Sequence, residues 1–211
     1  MFKTKILLGT NNRKKGIELS ELLFPYEIGV CTLADFKDKP EVIEDGKTFI
    51  ENARKKAIEN ARFFGMITIG EDSGLSVDTL GGEPGIYSAR FASNTKNLNT
   101  TDEANNKLLL EKLASEPLEK RTAFYTCAAV IADSSGKIIG EAEQYCRGRI
   151  LFELSGNEGF GYDPLFEIIE YHKTFGALCP AVKRAISHRA RTMRKLIPII
   201  ISYTTNIRPF R

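Results

Sequence analysis

Histidine is scarce in this sequence. Only His172 and His188 occur, which excludes a multi-histidine metal centre and leaves a Ser-His-Asp triad without supporting context. The four cysteines, Cys31, Cys127, Cys146 and Cys179, lie far apart with no C-x-x-C pair, so neither a zinc knuckle nor a disulfide framework is expected. Long apolar runs are missing too: Ile6-Leu-Leu8 stops at Gly9, and Ile197-Pro-Ile-Ile-Ile201 is far too short to span a bilayer. A cytoplasmic location with no membrane partner is therefore expected. Neither G-x-G-x-x-G nor G-x-S-x-G appears. Gly46-Lys47-Thr48 ends like a Walker A loop, but Glu41 stands where that loop needs its first glycine, and Glu44-Asp45 would face the phosphates.

What is present is the composition of an ordinary globule: 211 residues, 42% hydrophobic and 27% charged, with 17 Gly and 8 Pro. That length suits a single domain over residues 1–211, with room for two lobes. The net charge of +3 argues against a dedicated nucleic-acid binder, and no stable nucleic-acid partner is expected. Its distribution says more. Residues 171–211 contain nine cations and no acid, whereas residues 1–170 carry 21 cations against 27 anions. An acidic body with a basic C-terminal segment suits a polyanion, with carboxylates for a metal and cations for phosphates.

The order of elements predicts an α/β domain with a mixed central sheet flanked by helices. Lys5–Leu8 reads as a strand, a helix follows to Pro25, and Tyr26–Leu33 reads as a second strand. Thr48-Phe-Ile-Glu51 has capping-box spacing for a helix carrying Phe49, Ala53, Ala57, Ala61 and Phe64 and ending at Gly65. Ile67–Ile69 should be a short strand leading into a loop, Gly70-Glu-Asp-Ser-Gly74. Thr100-Thr-Asp-Glu103 offers another capping box. Residues 123–132 and 137–150 read as a hairpin closed at Asp133-Ser-Ser-Gly136, and Ser187 as the cap of a basic helix that Pro198 kinks or ends.

Carboxylates are the richest source of chemistry. Glu41, Glu44 and Asp45 precede one helix and Glu71-Asp72 follow a strand, so two acidic loops are expected to converge on one hard cation. Mg²⁺ fits, because it takes oxygen ligands and keeps waters and substrate phosphates in its shell. Asp72, beside Ser73-Gly74, is the candidate to activate a water. Gly9-Thr-Asn-Asn-Arg-Lys-Lys15 ends a strand and opens a helix, a setting for phosphate as well as for a plain Asn-capped turn. Asn157-Glu-Gly-Phe-Gly-Tyr-Asp163 joins glycines to two rings that could stack on a base and a carboxylate that could accept from a ring N–H. Ser187-His188-Arg189, near Lys183, could serve phosphate and base together.

Five segments resemble the HAM1/RdgB inosine triphosphate pyrophosphatase family: Thr10-Asn-Asn-x-x-Lys15-x-x-Glu18; Glu44-Asp-Gly-Lys-Thr-Phe-Ile-Glu-Asn-Ala53; Glu71-Asp-Ser-Gly-Leu75 running on to Arg90; Gly159-Phe-Gly-Tyr-Asp-Pro164; and Lys183-x-x-Ile-Ser-His-Arg189. They occur in the family's order over roughly residues 5–195. The resemblance implies a homodimer of two-lobed chains around a nucleotide-binding cleft. It implies Mg²⁺-dependent hydrolysis of noncanonical purine triphosphates (ITP, dITP, XTP) to the monophosphate and pyrophosphate, cleansing the nucleotide pool. By the same resemblance Thr10, Asn11, Asn12, Arg13, Lys14 and Lys15 form a triphosphate loop, and Glu44 and Asp72 hold Mg²⁺ with Asp72 as proton acceptor. Ser73, Phe160, Gly161, Tyr162, Asp163, Lys183, His188 and Arg189 contact substrate. Spacing leaves Glu41 and Glu44 both open as the first metal ligand. Two other readings of the residues are a Maf-like pyrophosphatase acting on other modified nucleotides and a noncatalytic RNA-binding module.

Overall fold

The computed structural model describes residues 4–93 and 98–206. Arg208 and Arg211 of the basic stretch lie outside them. The buried run Ile6-Leu7-Leu8 forms β1 (Thr4–Leu8), which pairs in parallel with β2 (Ile28–Thr32) and β3 (Thr68–Val77), as a strand covered on both faces should. α1 (Arg13–Leu23) makes the crossover from β1 to β2, and α2 (Phe49–Phe64) precedes β3. α3 (Asp102–Lys112) follows, then β4 (Thr122–Ala132), β5 (Ile138–Ile150), β6 (Phe166–Ile168), β7 (Lys173–Thr174), α4 (Pro180–Ile186) and α5 (His188–Asn206). The sheet runs β2-β1-β3-β4-β5-β6-β7, with β5–β6 and β6–β7 antiparallel. The fold is thus α/β with a mixed sheet, as the element order predicts.

The chain divides into two compact units. One holds the described residues up to Asp72, Cys127–Gln144 and those from Arg189 on; the other holds the described residues of Ser73–Thr126 and Tyr145–His188. In the first unit, Ile6, Leu8, Leu19 and Leu23 pack with Met193, Leu196 and Ile200 of α5. The alanine stripe Ala53, Ala57, Ala61 lies on Ala128, Val130 and Ala132 of β4. The core of the second unit is more aromatic, with Leu109, Tyr125, Tyr162, Phe166 and Phe175.

Two local expectations need correction, and a third, that Pro198 kinks or ends the last helix, is narrowed. Residues 70–74 are not a loop: β3 runs straight through them to Val77. Gly70 is there for close packing, because a Cβ would fall 2.1 Å from Ala53 O and 2.4 Å from Ala57 N of α2. The cap of α3 is Thr101, which accepts from Ala104 N–H, while Thr100 Oγ1 bonds Asn105 Oδ1 instead. Pro198 does not end the last helix, which continues to Asn206. The helix α4 was not anticipated. The expected hairpin is present: Asp133 N–H bonds Lys137 O at 2.9 Å between β4 and β5.

Candidate active site

α2 starts where the acidic loop ends, and the two are stitched together. Thr48 accepts from Glu51 N–H, Glu51 accepts from Lys47 N–H at 2.7 Å, and Asn52 Oδ1 accepts from Gly46 N–H at 2.8 Å. Gly46-Lys47-Thr48 is therefore a helix start, with the Gly46 and Lys47 amides already engaged by side chains of α2 rather than open to phosphate. A Cβ on Gly46 would sit 2.6 Å from Asn52 Oδ1, so the loop needs glycine there to close on the helix.

This loop brings Glu44 to Lys56. The Lys56 ammonium donates to Glu44 Oε2 at 2.9 Å and to Asp72 Oδ1 at 3.2 Å, and Asn52 Nδ2 donates to the other Asp72 oxygen at 3.1 Å. Two carboxylates from separate segments of the first unit thus meet at one cation. Burial alone would lower the Lys56 pKa, but Asp72 and Glu44 overcome it and raise it. Asp45 pairs with Lys55, whereas Glu44 pairs with Lys56 and so shares a cation with Asp72.

Adjacent residues of a strand point to opposite faces, and Glu71 accordingly leaves Asp72's cluster. Its carboxylate receives Arg189 Nε at 3.0 Å on both oxygens and Lys15 Nζ at 3.2 Å. Arg189 also bonds Glu18 of α1. Burial would raise the Glu71 carboxyl; Arg189 and Lys15 prevail and hold it well below the usual carboxylate range. The Arg189 guanidinium, buried between Glu71 and Glu18, is pushed above its ordinary range by those two acids despite its desolvation. Arg189 thus lies inside an acidic network.

The loop after β1 is capped from within. Asn12 Oδ1 accepts from Lys14 and Lys15 N–H, Thr10 Oγ1 accepts from Asn12 N–H, and Asn11 accepts from Lys39 Nζ at 2.8 Å. Arg13 turns to Asp35 and Ala34 O. The Asn-capped turn is real, and Lys15 is the side chain of this loop that reaches the acidic strand.

In the second unit, Asp163 organises the loop between β5 and β6. Its Oδ2 accepts from Phe160 N–H at 2.9 Å and from Lys183 Nζ of α4 at 2.8 Å. Lys183 Nζ also lies 5.4 Å from the Phe160 ring centre. Gly159 has φ +81°, and a Cβ there would meet Asp163 Oδ2 at 2.1 Å. His188 stacks on Tyr125 at 4.7 Å with the rings 7° apart. Tyr162 is a core residue, 3% exposed, and its hydroxyl donates to Ser88 O. Ser73 sits partly buried on β3, next to Asp72.

Sequence reading assigns no role to Asn52, Lys56 or Glu18, although Asn52 and Glu18 stand within two of the quoted motifs. A signal for the first two was present: Asn52-Ala-x-x-Lys56-Ala-x-x-Asn60-Ala61 repeats every four residues, a polar stripe beside the alanine stripe on one helical face. All six residues are buried.

The comparisons with known proteins agree along nearly the whole chain. A family model described as the Ham1 family matches residues 6–199. A dITP/XTP pyrophosphatase of Rhodopirellula baltica is 46% identical over 196 residues, covering 93% of this chain and 92% of its own. One from Desulforamulus reducens is also 46% identical over 196 residues, covering 93% and 95%. Among solved structures, a HAM1 protein from Coxiella burnetii superposes with TM-score 0.82 at 31% identity, over 94% of this chain and 99% of its own. A nucleoside-triphosphatase, dITP/XTP pyrophosphatase, from Mycobacterium abscessus gives TM-score 0.71 at 35% identity, over 93% and 99%. On the strength of the family model and of relatives this similar over this much of its length, the chain belongs to the Ham1 family.

Proposed function

We propose that this chain hydrolyses noncanonical purine nucleoside triphosphates (ITP, dITP, XTP) to the monophosphate and pyrophosphate, keeping these bases out of DNA and RNA. The observation that carries the reading is the meeting of Glu44 and Asp72 at the Lys56 ammonium. Two hard oxygen donors already face one positive charge there, so the residues fit Mg²⁺. No cluster of three or more acidic, His or Cys ligands exists among the described residues. A pair is sufficient for an ion that keeps waters and substrate phosphates in its shell. When bound, Mg²⁺ supplies neutralisation of the phosphate oxygens, with Glu44 and Asp72 as its protein ligands.

The chain's own residues do the rest. Asp72, oriented by Asn52, takes the proton of a water as its oxygen attacks the α-phosphorus. The bond to the bridging oxygen breaks and pyrophosphate leaves, with Lys15 and Lys56 offsetting the charge that develops. Thr10–Lys15 and Ser73 line the phosphate path. Phe160 offers a stacking face, and Asp163, Lys183 and His188 supply the polar contacts that favour a 6-keto purine. Arg189 acts on the phosphate side by holding Glu71 and, through it, Lys15. A 6-amino group would leave the donors of the base site unpaired, so ATP is a poor substrate, on the order of 10⁴-fold worse. We further propose that the protein is a cytoplasmic homodimer.

The test is pyrophosphate release from ITP, XTP, GTP, ATP and pyrimidine triphosphates, with and without Mg²⁺, alongside Asp72→Asn. The expected result is Mg²⁺-dependent release from ITP and XTP, and a kcat about 10²- to 10⁴-fold lower in the variant. Wild-type turnover in a folded Asp72→Asn protein overturns the base assignment. A preference for pyrimidines overturns the substrate class.

A further inference from the structure

α3 and the 157–164 loop both line a cavity of about 570 Å³ in the second unit, with Leu110, Leu154, Phe160 and Pro164 among its lining residues. Asp163 braces this loop at the Phe160 N–H, while its glycines at φ +81° and +62° give the rest of the backbone conformational freedom. Gly161 is tied to α3 by hydrogen bonds at both of its peptide groups. Asp102 Oδ2 accepts the Gly161 N–H at 2.7 Å, and Asn106 Nδ2 donates to the Gly161 carbonyl at 3.0 Å.

Asn106 is the telling member. It is 6% exposed, and its buried Oδ1 has no hydrogen-bond partner. An unpartnered buried oxygen is destabilising, and the same helix carries Leu108, Leu109 and Leu110. For packing alone, leucine at 106 would serve at least as well. The asparagine is explained by the carbonyl that it holds. We propose that Asn106 and Asp102 are positioning residues that set the Gly161 peptide groups and hence the place of the Phe160 ring one residue away. The inference rests on the reading of that loop as the base site, and assigns to α3 the task of shaping it.

Two measurements on the full chain test it. The first is hydrogen exchange of the 157–163 segment, which needs no substrate. Exchange is faster in Asn106→Leu and Asp102→Ala than in the parent, and normal in Asp102→Asn, whose carboxamide oxygen still accepts from Gly161 N–H. The second is steady-state pyrophosphate release from ITP. KM rises about three- to tenfold in Asn106→Leu and Asp102→Ala with kcat changed less than about twofold, as expected for loss of one anchoring hydrogen bond. Asp102→Asn restores KM, and Asn106→Leu melts at or above the parent temperature. Unchanged exchange in both disrupting variants overturns the anchor, whatever the substrate. Changed exchange with unchanged KM overturns its role in substrate binding. Changed exchange in a parent that does not cleave ITP leaves the anchor standing and removes the reading of the site.

Discussion

Lys56 shows how one side chain can stand for a ligand. Its ammonium sits between Glu44 and Asp72 and supplies the positive charge that the two carboxylates share. Lys56→Met is therefore expected to cost about 1–3 kcal/mol when divalent ions are chelated. Mg²⁺ is expected to raise the melting temperature of this variant by more than that of the parent, because the ion replaces the missing charge. Thermal melts in chelator and in Mg²⁺ decide it, and an equal Mg²⁺ effect on both proteins rejects the two carboxylates as a shared ion site. Asp72 and Glu44 were legible in the sequence as acidic residues near element ends. Lys56 was not, since a lysine in mid-helix reads as a solvated charge until the helix is seen to bury that face.

At the level of elements, the segment 70–74 carries the lesson. Two glycines around Glu-Asp-Ser read as a turn, yet β3 continues through them because Gly70 lets α2 approach its backbone. Gly70→Ala would drive a methyl into Ala53 O and Ala57 N, backbone atoms of a helix that cannot yield locally. The expected loss is about 3 kcal/mol, at the upper end of overpacking effects, read as a lower denaturant midpoint. A neutral result would mean that α2 is not fixed against β3. The strands β1 and β2, the alanine face of α2 and the 133–137 turn were legible because hydrophobic period and turn chemistry are local. α4 was not, since the seven residues that follow Cys179 are too few for a periodic signal.

At the scale of the molecule, one buried network joins distant stretches of chain: Lys15 and Glu18 of α1, Glu71 of β3 and Arg189 of α5, all in the first unit. The folded Glu71 carboxyl is held below its unfolded value. Its stabilisation is therefore fully present above the unfolded pKa of about 4.3 and drains away as pH falls through the lower folded value. Glu71→Gln is expected to be less stable by about 3–5 kcal/mol at neutral pH, because two cations lose their buried partner. It should also lose less of its remaining stability than the parent between pH 6 and pH 3. Melts across that range measure both, and parallel curves would exclude Glu71 as an acid-sensitive support.

Composition, hydrophobic period and the order of five motifs were enough to determine the α/β class, the Ham1 kinship and most of the polar residues worth watching, because each depends on neighbours within a few positions. Which of them touch was decided only by the tertiary structure. Glu44 shares Lys56 with Asp72, Glu71 turns to the other face of its strand, and Arg189 is buried among acids. Tyr162 joins the core, and α3 holds Gly161. Such outcomes depend on long-range packing and on the balance of burial against charge pairing, and local sequence pattern carries no record of either.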